Sequence, residues 1–404
     1  MQDLWLSNAL VPVRTPRAAS ILVVAGSVSA DHAEALARVH DALPHPRGTL
    51  LWGTDAAGLS IDDAVAVESA ADPVPAIQSL FARLIAGAVQ SAVPLLPDVD
   101  PSEWRGVGPY GQGGSGMTGG TPYGRPMAEL GPDRDGLRLD VLPTWIGPFF
   151  APLPAGLVLD LTVAGDVVVE AAVTRSAVGV AQPPLSSPFL RALVEPVSIA
   201  EVELARSRDH LRWLADALRV QGLPALGLRA LALAHEIDRG SGSEIRRLGR
   251  AVARSGVYRW SLPPARGRVA ERLAGAALGP VSRAAGFGDD ERLGDPAYLA
   301  LGFEPVLGDA DDAGSRWRVR IEEAARSAEL AAVAGDAHTS VTGVVESPRG
   351  RLAFGDVPTR RALDLVPDLI TGLEWGDAIA SIVSLDLDLD DLAMAADGRP
   401  GVAA

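Results

Sequence analysis

Cysteine does not occur anywhere in the 404 residues. Disulfides and thiolate-held metal clusters are therefore excluded within this chain. Lysine is missing too, so all 36 basic residues are arginine. With abundant alanine, glycine and valine, this reads as base composition and carries no functional weight. Fifty-one acidic residues leave a net charge of −15, which offers no phosphate-neutralising surface and argues against a nucleic-acid partner. Aromatic residues are 5% of the chain, and no apolar run reaches the roughly 18 residues that span a bilayer. The opening MQDLWLSNAL lacks the basic leader of a secretory signal, so the expected compartment is cytoplasmic. The 6 histidines are scattered and form no zinc-binding pattern. What is present is 48% hydrophobic residues over a length that suits two or three domains.

Ile21–Gly26 is a continuous apolar, β-branched run ending in glycine, as a strand buried on both faces would be. Ser29 then stands at a helix start, with Asp31 and Glu34 in the first turn, and the helix should stop before Pro44. Gly48–Gly53 reads as a second strand. Strand, helix and strand in this spacing make a βαβ unit of a parallel sheet. Four stretches carry a family likeness: Thr15-Pro16-Arg17-Ala18-Ala19-Ser20, Gly26-Ser27-Val28-Ser29, Leu43-Pro44-His45-Pro46-Arg47 and Gly53-Thr54-Asp55. In this order they resemble the small, cluster-bearing subunit shared by respiratory complex I and [NiFe] hydrogenases, over roughly residues 14–95. The resemblance implies a flavodoxin-like parallel sheet and puts Asp55 where that family has a cluster cysteine. The family's other cysteine segments have no counterpart.

Gly108–Pro126 is too dense in glycine and proline for a helix or strand interior. Gly111–Gly116 scans as G-x-G-x-x-G, yet no strand precedes it and no helix follows, so nucleotide binding is not expected. Tyr110, Met117, Tyr123 and Arg125 argue for an ordered loop rather than a floppy linker. In the family the cleft between the two subunits receives quinone, and the resemblance implies that this loop covers it.

The stretch Gly147–Glu170 predicts a hairpin, with Leu157, Leu159 and Leu161 alternating, a turn at Gly165-Asp166, and Val167–Val169 returning. It resembles the opening of the complex I large subunit, G-P-Q-H-P-x-x-H-G followed by two strands. Both family histidines are gone: Phe149 and Phe150 stand near the first and Pro154 or Ala155 near the second, so quinone reduction there is not expected. Only Ala171–Val197 separates the hairpin from the next helix, which implies deletion of the region holding the first C-x-x-C of hydrogenases. Ser198 and Glu201 read as a capping box, followed by a helix with Ile199, Val202, Leu211, Leu214 and Leu218 on its apolar face. Further helices are predicted at 224–238, 242–256 and around 265–277.

Several later motifs match the large subunit in order: Glu203-x-x-Arg206-x-x-x-His210-Leu211-x-Trp213-Leu214, Gly279-Pro280-Val281-Ser282-Arg283-Ala284, Asp290-Glu291-Arg292, Pro296-Ala297-Tyr298, Arg316 through Glu323, and Val345-Glu346-Ser347-Pro348-Arg349-Gly350. His210 is expected to make a structural hydrogen bond between helices, with proton carriage as the alternative. Ser384–Asp391 resembles the closing S-x-D-P-C-x-x-C of hydrogenases and sets Asp388 and Asp391 at the two thiolate positions. Carboxylates suit Mg²⁺ or Ca²⁺ but do not build a nickel–iron centre. The alternation of Leu385, Leu387 and Leu389 with Asp386, Asp388 and Asp390 also reads as a half-solvated strand, the preferred reading.

The resulting expectation is an α/β amino-terminal domain at 1–100, a Gly/Pro-rich connector at 101–145, and an α+β large-subunit-like domain at 146–404. The last would contain the hairpin at 146–175, a central helical bundle at 198–345 and a β/α segment at 346–404. No catalytic residue, metal or cofactor is expected. The resemblance implies a non-redox scaffold and coupling subunit, peripheral on the cytoplasmic face of the cell membrane. Its partners would be antiporter-like and complex I-like integral membrane subunits. The alternative is an enzyme or ligand-binding protein using the cleft under Gly108–Pro126. For that reading Tyr110, Tyr123, Arg125, Phe150, His210 and Asp133-Arg134-Asp135 are the candidates.

Overall fold

The computed structural model describes residues 2–26, 28–89, 93–98, 129–132, 138–176, 187–262 and 267–392. The Gly108–Pro126 segment, with Tyr110, Tyr123 and Arg125, and also Asp133-Arg134-Asp135, lie outside the described residues.

Strands β1 (Ile21–Ala25), β2 (Gly48–Trp52) and β3 (Val65–Val67) form a parallel sheet in the order β1-β2-β3. Helix α1 (Ala33–Asp41) makes the crossover from β1 to β2, and α2 (Val74–Ile85) packs on β2 through Leu80. The βαβ unit is therefore present, with two corrections. A flavodoxin-like sheet has its first strand between the second and third, whereas here β2 is central. Being at the edge, β1 buries only Val24, and the strand enclosed by neighbours is β2. Ser29 caps as expected, accepting from Asp31 N at 3.2 Å, although a short 3₁₀ turn precedes α1.

The hairpin is realised as β6 (Leu157–Ala164) and β7 (Val167–Ser176), with Gly165 at φ +63° in the turn. It belongs to a larger sheet: β4 (Glu129–Pro132) and β5 (Arg138–Ile146) extend it in the antiparallel order β4-β5-β6-β7. Composition alone marks much of this stretch as connector, whereas 129–132 and 138–146 pair as strands. Leu157, Leu159 and Leu161 face a core shared with the carboxyl-terminal helices.

Helices then dominate. They are α3 (Pro188–Ala192), α4 (Ile199–Val220), α5 (Pro224–His235), α6 (Gly242–Arg254), α7 (Val257–Trp260), α8 (Pro280–Ala284), α9 (Pro296–Ala300) and α10 (Ala313–Val333). A hairpin, β8 (Val344–Ser347) and β9 (Gly350–Ala353), leads to α11 (Pro358–Leu363), α12 (Val366–Ile370) and α13 (Trp375–Leu385). The two long helices α4 and α10 pack on one another and on α5 and α6, around Leu211, Leu214, Leu218, Trp317 and Ala324.

Three local expectations are corrected. Ser198 precedes α4 but makes no side-chain cap. The Ile199 N–H instead donates to Ala337 O, and Glu201 pairs outward with Arg191. Residues around 265–277 give only a 3₁₀ turn, Ala270–Arg272, because Gly267, Gly275 and Ala277 all take positive φ. Ser384–Asp391 is not a strand: α13 runs to Leu385, Asp386 closes it at φ +59°, and the chain continues without sheet partners. The leucines do point inward, into the core beside β6, and that burial produced the alternation.

Candidate functional site

Helix α4 places Glu203, Arg206, Ser207 and His210 on one face, at i, i+3, i+4 and i+7. Helix α10 likewise aligns Arg316, Arg320, Glu323 and Ser327. These two faces meet and all eight side chains are buried. Charge at that depth is tolerated only if paired, and the other motifs supply the pairs.

Arg283 of α8 is fully buried at the centre. Its Nη1 lies 2.7 Å from Glu346 Oε1 and 2.8 Å from Asp290 Oδ2. Its Nη2 forks onto both oxygens of Glu323, at 2.9 and 3.0 Å. Arg292 donates to Asp290 through Nε and Nη2 at 2.9 and 2.8 Å, and through Nη2 to Glu323 at 2.6 Å. It also reaches Glu203 at 3.3 Å and lies over the Phe303 ring at 4.2 Å. Tyr298 OH donates to Glu203 Oε1 at 2.7 Å, and Arg206 donates to Glu203 and to the Glu346 carbonyl. The planar, multi-donor guanidinium is what allows each arginine to bridge several carboxylates.

The electrostatics follow from stoichiometry. Three guanidiniums, Arg206, Arg283 and Arg292, face four carboxylates, Glu203, Asp290, Glu323 and Glu346. Burial raises the pKa of each acid, but the adjacent arginines outweigh it at Glu203, Asp290 and Glu323, which are held below the usual range. Glu346 is the surplus anion: burial, aided by the neighbouring Asp290 carboxylate, pushes it to about 7. His210 lies at the α4–α10 contact as expected. The expected hydrogen bond is not made: its Nε2 is 3.6 Å from Glu323 Oε2, longer than a hydrogen bond, and burial lowers its pKa, which favours the neutral ring. A cleft of about 370 Å³ between α10 and the 302–306 loop reaches Glu203, Arg292, Glu323 and Ser327 from the side of Arg246 and Glu304.

A second cluster surrounds Arg349. Its Nη2 is 3.0 Å from Asp388 Oδ2 and its Nη1 is 3.7 Å from Asp391 Oδ2. Its Nε donates to the Asp386 carbonyl at 3.0 Å. Arg320 joins from α10, donating to Asp386 Oδ2 at 3.2 Å and to the carbonyls of Leu385 and Pro348. Acids again exceed cations. Burial pushes Asp391 up to about 7, with the Asp388 carboxylate adding to it, and pushes Asp209 up to about 6. Asp388 and Asp391, which the sequence resemblance sets at thiolate positions, thus share a guanidinium from the chain itself. Such a donor set does not fit a nickel–iron centre, which needs soft thiolates. Among the described residues no group of three or more His, Asp and Glu has metal-ligand geometry.

The remaining candidates do not join these clusters. Asp55 is exposed after β2 and caps a 3₁₀ turn by accepting from Ala57 N at 3.2 Å. Phe149 packs on the amino-terminal core and meets the His32 ring edge-on at 5.9 Å. Phe150 turns the other way, against Trp375 and the β6 core. In the sequence, Arg206, Arg283, Asp290, Arg292, Arg320, Glu323 and Glu346 stand as separate motif letters that do not by themselves mark a site. The available signal was charge at helical spacing inside otherwise apolar faces.

Comparison with solved structures finds a chain in the structure of the membrane-bound sulfane sulfur reductase, an archaeal respiratory membrane complex. The match has a TM-score of 0.46 and 14% identity, and covers 63% of this chain and 98% of that chain. No protein-family model matches the sequence, and no curated protein does. No helix among the described residues is long and apolar enough to cross a membrane.

Proposed function

We propose that this protein is a non-redox scaffold and coupling subunit of a membrane-bound, ion-translocating complex related to complex I and the energy-converting hydrogenases. It sits peripherally on the cytoplasmic face and docks on antiporter-like and complex I-like integral membrane subunits. In this reading the chain joins a small-subunit-like part, 1–100, through 101–145, to a large-subunit-like part, 146–404. One observation supports it above the others. Motifs spread over some 150 residues, from Glu203 to Arg349, each deliver charged side chains to two adjoining clusters, one buried and one partly open. A scaffold keeps such a network when its charge still matters, while electron-carrying ligands are dispensable.

The test is mass spectrometry of everything that co-purifies with the tagged protein from gently solubilised native membranes. Antiporter-like and complex I-like membrane subunits are the expected companions. A protein recovered alone from the soluble fraction overturns the proposal, and an organic molecule bound to it would favour a ligand site under Gly108–Pro126 instead.

A further inference from the structure

Only Ser347 and Pro348 separate Glu346, which belongs to the Arg283 cluster, from Arg349, which holds the carboxyl-terminal acids. We propose that the β8–β9 turn, Glu346–Gly350, is a rigid coupler through which a change of charge among Asp386, Asp388 and Asp391 is transmitted to the Arg283–Glu346 pair. This goes beyond the scaffold reading and holds whichever partners the protein has.

The geometry carries it. On one side the Glu346 carboxylate binds Arg283 at 2.7 Å and accepts from the Glu291 N–H at 3.3 Å. Its carbonyl accepts from Arg206 Nη2 at 2.6 Å. On the other side Arg349 spans Asp386, Asp388 and Asp391, while Arg320 holds both the Pro348 carbonyl and Asp386. The groups facing Glu346 are thus Arg283, Asp290, Arg292 and Arg206, from α8, the 290–292 turn and α4. Those around Arg349 are Asp386, Asp388, Asp390 and Asp391 after α13, Asp209 of α4 and Arg320 of α10.

The turn between them has little freedom to absorb a displacement. Ser347 Oγ donates to the Gly350 carbonyl at 2.8 Å and accepts from Arg349 N at 3.2 Å. Gly350 has φ +126°, and a Cβ there would lie 2.3 Å from Ala277 O and 2.6 Å from Gly279 N. The backbone of one motif is therefore seated directly on the backbone of another. The Arg351 N–H donates to the same Ala277 carbonyl at 3.0 Å. Close-packed interiors transmit such strain instead of dissipating it.

Hydrogen exchange on the full-length protein tests this with Asp388→Asn, a near-isosteric change at a partly exposed side chain that removes one charge from the Arg349 cluster. The expected result is an increase of about tenfold or more in exchange at Glu291, whose N–H is held by Glu346, together with the increase at 386–391. Ile382→Val serves as control, loosening α13 through the core without touching charge, and should leave Glu291 unchanged. Faster exchange confined to 386–391 in Asp388→Asn overturns the proposal, as does an equal response of Glu291 to Ile382→Val. A double-mutant cycle between Asp388→Asn and Glu346→Gln gives a second reading. Coupled sites deviate from additivity in the unfolding constant by fivefold or more, whereas agreement within twofold also overturns the coupler.

Discussion

The two charge clusters are built from the same residue types but differ in enclosure. Around Arg283 every partner is buried, and three carboxylates are held ionised by arginines that fork between them. Around Arg349 the side chains are partly open, the contacts are longer and acids are in clear excess. The first arrangement fixes geometry, since a buried carboxylate without its cation has no water to fall back on. The second leaves Asp391 and Asp209 titrating near neutrality, as only the surplus Glu346 does among the four acids of the first. The contrast shows that the ratio of guanidiniums to carboxylates, as much as depth, decides whether a buried acid is structural or responsive.

The largest effect expected from breaking that contrast is at Arg283. Arg283→Met removes the cation shared by Asp290, Glu323 and Glu346 and strands buried charge, at a cost of about 3–5 kcal/mol. Urea unfolding at neutral pH measures it. Arg283→Lys should recover little, because one ammonium cannot fork between Glu323 and Glu346. A loss below about 1 kcal/mol for Arg283→Met would mean that the cluster is wetter and looser than its distances imply.

Next in size is Gly350→Ala, expected to cost about 2 kcal/mol or more through left-handed backbone strain and the collision with Ala277 O. If Arg351 and Arg349 also lose their anchoring, the Arg349 cluster should loosen before the Arg283 cluster does. Hydrogen exchange resolved along the sequence distinguishes the two.

Legibility in the sequence divides along similar lines. The βαβ unit and the β6–β7 hairpin were readable because apolar periodicity and a Gly-Asp turn act locally. The apolar face of α4 was readable for the same reason. The edge position of β1 was not, since strand order depends on packing that no short window records. The same holds for β5, whose sequence Arg138–Ile146 contains Pro143 and follows a glycine-rich stretch. Around Ser384–Asp391 the alternating leucines were real burial, but burial without sheet hydrogen bonds, and period-2 patterning cannot tell these apart. The ion network lay in plain sight as motif letters. What the sequence could not convey was that Arg283, Arg292, Glu323 and Glu346, up to 63 positions apart, converge on one point.

The Arg349 cluster gives a pH-dependent prediction of intermediate size. Asp391 has its pKa raised on folding to about 7 by burial, with Asp388 beside it. The native state therefore holds this proton more tightly than the unfolded chain, whose aspartates titrate near pH 4. The stabilisation is complete below about pH 4 and is lost as pH climbs through 7. Asparagine cannot ionise, so Asp391→Asn should gain on the parent protein by about 1–2 kcal/mol between pH 4 and pH 8. The figure is discounted for the partial exposure of the side chain. Chemical unfolding at the two pH values checks this, and a constant difference would place Asp391 among the firmly ionised acids.

The smallest effect sharpens the comparison from outside both clusters. Asp55, like Asp388 and Asp391, is set at a cysteine position only by the sequence resemblance, and among the described residues it has neither a guanidinium partner nor burial. Its work is local: it accepts from Ala57 N while Ala56 and Ala57 sit at φ +55° and +58°. Asp55→Ala should cost about 0.5–1 kcal/mol, the usual loss of a cap, with no dependence on the Arg349 cluster. Asp55→Asn should be nearly silent, because the amide oxygen accepts the same hydrogen bond. A double variant with Asp388→Asn should then be additive in urea unfolding. Additivity would mean that the three aspartates have separate roles, one a turn cap and the others acids around an internal arginine. Coupling would require a path between β2 and the carboxyl-terminal cluster that the described contacts do not contain.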